Sequence, residues 1–146
     1  MTKVDEAHIT DSLYNAAITY YTKAINIDVR FWQAYRNRAR LYFRMGNVKA
    51  AIKDIETALK YTNKNDSYLH GLLGECYYEI GAYRIALKNF NIAMSDVEYI
   101  DYLLLWRAKT YWNLNLKSEA CQDYLKAIKG TPYLRESREF LKCNEP

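Results

Sequence analysis

A chain of 146 residues that is 50% apolar and 15% aromatic holds enough material for one domain with a core. Five glycines and two prolines are too few for a protein of many short strands and turns, and a net charge of +4 falls well short of a nucleic-acid-binding tail. No apolar run approaches the roughly 18 residues of a membrane span, and the opening MTKVDEAHITDS lacks the apolar stretch of a secretory signal. Three cysteines (Cys76, Cys121 and Cys143) are odd in number and lack CxxC spacing. They read as reduced thiols, which makes the cytoplasm the expected compartment.

Residues 1–10 are weakly patterned and read as an irregular arm or a frayed helix. From Asp11 the pattern firms into DSLYNAAITYYTKAINID, with Asp11 or Ser12 as the cap and Ala17, Tyr21 and Ala24 on one helical face. FWQAYRNRARLYFRMGN follows, placing Tyr35, Ala39 and Tyr42 on one face and stopping at Gly46-Asn47. VKAAIKDIETALKYT carries Ala51, Ile55 and Ala58, and the polar stretch from Asn63 to Asp66 is a turn. The next pair of helices, joined at Gly81, sets His70, Gly74 and Tyr77 against Ala86, Phe90 and Ala93. The last pair sets Leu104, Ala108 and Tyr111 against Ala120, Tyr124 and Ala127 and ends at Gly130 and Pro132. Tyr133 to Leu141 reads as one final charged helix.

Ala17, Ala51, Ala86 and Ala120 are separated by 34, 35 and 34 residues, and Tyr42, Tyr77 and Tyr111 by 35 and 34. A fixed period near 34 with a two-helix unit is the mark of a stacked array, because one hairpin cannot bury its apolar face alone. In bulky–small–Tyr followed by Ala–aromatic–Ala, the chain resembles the tetratricopeptide repeat (TPR) family over roughly residues 11–132. The matches are Tyr35/Ala39/Tyr42 with Ala51/Ile55/Ala58, His70/Gly74/Tyr77 with Ala86/Phe90/Ala93, and Leu104/Ala108/Tyr111 with Ala120/Tyr124/Ala127 and Pro132. Two departures are the missing Pro between units before Pro132 and the missing first helix of the first unit. The expected fold is an all-α, right-handed superhelical solenoid of antiparallel helix pairs, about 3.5 repeats plus a C-terminal capping helix. Its parts are a half-repeat at 11–31, repeats at 32–65, 66–100 and 101–132, and a capping helix and tail at 133–146.

The resemblance implies a binding scaffold whose first helices line a concave groove. Helical geometry gives the same stripe: opposite Tyr35, Ala39 and Tyr42 stand Gln33, Arg36, Asn37, Arg40, Phe43 and Arg44. Carried forward by one period and then two, these become Tyr68, Gly71, Leu72, Glu75, Tyr78 and Glu79, then Tyr102, Leu105, Trp106, Lys109, Trp112 and Asn113. The wall is basic at the second unit and aromatic at the third and fourth. Clustered exposed aromatics mark a partner surface. The competing reading is that the N-terminal arm, a missing repeat or a self-contact covers them. Arg40–Glu75–Lys109 and Arg44–Glu79 read as a ladder of weak ion pairs. Arg36 has no acid in its column and is the anion candidate, beside Asn37. The family also contains a subset that clamps the C-terminal carboxylate of heat-shock chaperones. Asn37 takes one clamp place, but Thr2, Glu6, Ser67 and Gly71 stand at the others, so that clamp is not expected.

Nothing points to catalysis. His8 and His70 lie far apart, and no glycine-rich phosphate loop, paired Cys/His ligand set or nucleophile elbow occurs. No cofactor and no metal site is expected. The reading is a non-catalytic scaffold that binds a peptide or partner segment in its groove, with a chaperone or co-chaperone adaptor role and self-association as open extensions. The alternative is an RNA-binding helical-repeat module, since Arg36, Phe43 and Trp106 could stack bases. Glu75 and Glu79 oppose it by repelling phosphates.

Overall fold

The computed structural model describes residues 3–62, 64–94, 100–131 and 143, with side chains from residue 11 onward. These residues form α1 (Lys3–Ile27), α2 (Trp32–Arg44), α3 (Val48–Tyr61), α4 (Ser67–Glu79), α5 (Tyr83–Ala93), α6 (Ile100–Asn113) and α7 (Lys117–Gly130), with no strand among them. The helix placed from Asp11 starts at Lys3, so Asp11 and Ser12 lie inside α1 and cap nothing. The expected final helix from Tyr133 falls outside the described residues.

One turn recurs three times. Gly46 and Gly81 have φ +76° and Asn115 has φ 62°, the left-handed region open to Gly and tolerated by Asn. After each, a backbone N–H closes on the tyrosine that recurs with the repeat: Asn47 to Tyr42 O at 2.8 Å, Ala82 to Tyr77 O at 2.9 Å, and Leu116 to Tyr111 O at 2.9 Å. The next helices then begin at once. Asn47 Oδ1 accepts the Ala50 N–H, and Asp66 Oδ1 accepts the Leu69 N–H, satisfying donors that a helix start leaves over.

The chain divides into two compact units, residues 1–72 and 73–146. In the first, α2 packs on both α1 and α3 around Ile25, Ala34, Ala39, Ala51, Ile55 and Ala58. In the second, α6 packs on both α5 and α7. Ala86, Phe90, Ala93 and Leu103 form one cluster there, and Leu104, Leu105, Ala108, Ala120, Tyr124, Ala127 and Ile128 another. The small residues stand where helices touch: a Cβ placed on Gly74 would come within 2.6 Å of the Phe90 ring. His70 is buried, its Nε2 2.7 Å from Lys64 O, as its packing position implied.

Each unit also holds an arginine that ties three helices. Arg38 on α2 donates to both carboxylate oxygens of Asp54 on α3 at 2.7 and 2.8 Å, and to Thr22 Oγ1 on α1 at 2.8 Å. Arg107 on α6 does the same to Asp123 on α7 at 2.6 and 2.9 Å and to Asn91 on α5 at 2.9 Å. The acids are buried, and their hydrogen bonds hold both guanidiniums above the ordinary arginine pKa. The two pairs sit 69 residues apart, two periods, so the register carried this signal although the groove pattern did not reveal it.

The reading of three reduced thiols is corrected. Cys121 on α7 is disulfide-bonded to Cys143, which packs on the Leu104–Ile128 cluster. Only Cys76 is a free thiol, and it is buried.

Candidate functional site

In the first unit, the α2 face opposite the core meets the start of α4. Arg36 lies 5.3 Å from the Trp32 ring and 5.3 Å from the Tyr68 ring, so its guanidinium is held between two aromatic faces. Its Nε reaches Asn37 Oδ1 at 3.4 Å, and Arg40 donates to Tyr68 Oη at 2.9 Å. Tyr68 thus links two arginines, and neither hydrogen-bonds a carboxylate among the described residues. Trp32 was not among the expected surface residues. Its place four residues before Arg36, one helical turn, is the signal that could have found it. Gln33 and Phe43 are half-buried on the same helix.

In the second unit the aromatics gather around Trp106. Tyr78 and Tyr102 meet it edge-on at 5.2 and 6.2 Å, Phe90 stacks from the core at 6.4 Å, and Lys109 Nζ lies 5.1 Å above the ring. Asn113 donates to Tyr78 Oη at 3.1 Å, and Lys117 Nζ sits 3.6 Å from the Trp112 ring. Trp106 and Trp112 are half-buried, while Tyr102 remains 47% exposed and forms the open edge of the cluster.

Two expected wall residues are core residues. Leu72 is 6% exposed, and Leu105 is 9% exposed within the Leu104–Ile128 cluster. Periodicity placed them opposite the packing stripe, but a helix in an array is covered on more than one side. Gly71 is buried as well, and Glu75 is half-buried. The structure therefore brings together Arg36, Asn37, Arg40 and Tyr68 in the first unit, and Tyr78, Tyr102, Trp106 and Lys109 in the second.

Chemically, the first surface offers cation and ring, and the second offers ring edges with a lysine. Burial, reinforced by Glu75 and Glu79, pushes the Cys76 thiol up to about 12, which keeps it protonated and a poor nucleophile. No group of three His, Cys, Asp or Glu among the described residues stands close enough to hold a metal ion. No helix among them is long and apolar enough to cross a membrane.

Residues 32–65 and 102–132 each match a family model described as tetratricopeptide repeat. Over 132 residues the chain is 31% identical to DnaJ homolog subfamily C member 7 of Homo sapiens, and equally to that of Mus musculus. The match covers 89% of this chain and 24% of those proteins, so the chain spans about a quarter of their length. Among solved structures, MamA is similar at TM-score 0.77 and 16% identity, covering 90% of this chain and 77% of that one. TTC0263, a thermophilic TPR protein of Thermus thermophilus, is similar at TM-score 0.71 and 20% identity, covering 89% and 73%. The first TPR of Spaghetti (RPAP3), bound to the HSP90 peptide SRMEEVD, is similar at 0.65 and 16%, covering 75% and 83%. At these identities the structural likeness is one of fold.

Proposed function

Because the chain belongs to the tetratricopeptide-repeat family and has its all-α helical-repeat fold, we propose that it is a non-catalytic scaffold that captures an acidic segment of a partner protein. The surface assigned to this is the α2–α4 face of the first unit, with Arg36 as the anchor, Asn37 and Arg40 beside it, and Trp32 and Tyr68 as the walls. One observation carries the reading: Arg36 is fixed between two rings, yet no hydrogen bond among the described residues occupies its Nη groups. An arginine already ordered in this way loses little rotamer freedom on binding, and its outer N–H pair matches a carboxylate.

The relatives support the same chemistry. The peptide bound by the similar RPAP3 domain, SRMEEVD, has three acidic side chains, and the chain resembles part of a DnaJ homologue. The finer role we propose is therefore an adaptor for an acidic chaperone tail. The anchor is Arg36 rather than the family's carboxylate clamp, whose other places hold Thr2, Glu6, Ser67 and Gly71. The separate ledge of Tyr102 and Trp106 in the second unit is the proposed contact for apolar partner side chains.

The test is fluorescence polarisation with labelled SRMEEVD and SRMQQVN, in which the three acidic side chains are replaced by their neutral amides. Binding of the acidic peptide weakens with salt, and Arg36→Ala reduces it about tenfold or more, roughly 1.4 kcal/mol, with an unchanged helical spectrum. Equal binding of the amide-substituted peptide, or an Arg36→Ala protein that binds as before, overturns the reading. Salt-sensitive capture of RNA without peptide binding would replace it with the nucleic-acid alternative.

A further inference from the structure

Helix α1 holds the second-helix place in the array register, but its register residues are not sealed. Ala51, Ala58, Ala86, Ala93, Ala120 and Ala127 are all 0% exposed, whereas the equivalent Ala17 and Ala24 are only half-buried. Beside them Leu13, Tyr20 and Ile27 are 64%, 70% and 89% exposed. Together Leu13, Ala17, Tyr20, Ala24 and Ile27 follow a 4-3-4-3 spacing, the seam of a paired helix. From Ser12 to Ile27 the helix carries one charge, Lys23, in a chain that is 26% charged. Ser12, Asn15, Thr19, Thr22 and Asn26 form a polar face, so the seam from Leu13 to Ile27 is a separate apolar stripe of the kind a helix turns toward a neighbour, yet among the described helices the main packing partner of α1 is α2.

Position 20 corresponds in register to Asp54, Asn89 and Asp123, and both acids meet an arginine of their own unit. Here the residue is tyrosine, so the buried acid that pairs with an arginine in those units is absent. The 4-3-4 spacing from Leu13 to Ala24 reads the same in both directions, while the size order large–small–large–small inverts. Reversed against itself, it sets every large residue on a small one. A two-fold axis needs such a self-complementary patch, and with a single lysine in this stretch no like charges are forced together.

We propose that two copies of this chain associate through antiparallel α1 helices. Tyr20 seats on Ala17 of the partner subunit, and Leu13 on Ala24 of the partner subunit, each contact made twice. The interface lies on α1, a different helix from those that carry Arg36 and Trp106, and does not depend on the peptide-binding reading.

Sedimentation velocity of the full chain over a concentration series tests it. The expected result is a reversible dimer at micromolar concentration. Tyr20→Glu and Leu13→Glu each weaken it about a hundredfold, by burying a carboxylate in the seam. Both side chains are exposed in the single chain, so the helical spectrum and melting of these variants stay those of a folded protein. Tyr61→Glu, at an exposed site on α3, leaves the dimer intact. A chain that stays monomeric at high micromolar concentration overturns the proposal. So does a dimer indifferent to Tyr20→Glu and Leu13→Glu, or one dissolved by Tyr61→Glu.

Discussion

At the scale of single residues, small side chains do steric work that larger ones cannot. Gly74 faces the Phe90 ring at a distance no real Cβ tolerates. Gly74→Ala is expected to cost about 1–3 kcal/mol by overpacking, read from the denaturation midpoint. Gly81 is different: nothing lies within 4 Å of an added Cβ, but its φ is +76°. Gly81→Ala therefore costs only the left-handed backbone penalty, about 1–2 kcal/mol. Cys76 gives a pH prediction. Folding raises its pKa from 9.0 to about 12, so its contribution to stability is complete below pH 9 and is lost as pH rises from there toward 12. The stability difference between the native protein and Cys76→Ala should shrink over that range.

At the scale of helices, the hairpin is one turn used three times and one arginine tie used twice. Arg38 and Asp54 have side chains only 14% and 7% exposed, so removing one partner strands a buried charge. Arg38→Leu is expected to cost about 3–5 kcal/mol by chemical denaturation. At the equivalent positions of the middle repeat the chain carries Leu73 and Asn89, and Asn89 donates to Ile85 O at 2.9 Å. The double variant Arg38→Leu/Asp54→Asn copies that solution and should recover much of the loss. If it is as unstable as the single variant, the middle repeat does not share the packing its register implies.

At the scale of the whole molecule, the disulfide sets the last prediction. Cys121 and Cys143 are 22 residues apart, and closing a loop of that length stabilises by about 3 kcal/mol in the chain-entropy account. Reduction should lower the melting temperature by several degrees. Thiol titration in denaturant should find one reactive cysteine before reduction and three after. No spacing announced this bond, because a pairing across 22 residues depends on where the chain returns. The same reason separates Arg36 from Leu72 and Leu105. All three stand opposite the packing stripe by helical arithmetic, but only the first stays accessible, since neighbouring helices cover the other two. What the amino-acid order determined by itself was the helical pair, its turn and its period near 34. Those follow from local sterics: small residues at helical spacing, and glycine or asparagine where φ turns positive. The tertiary structure alone decided which outward side chains are buried, which arginine spends its charge on a buried acid, and which is held between two rings. Burial and pairing are made by residues distant in the chain, and no local pattern encodes that distance.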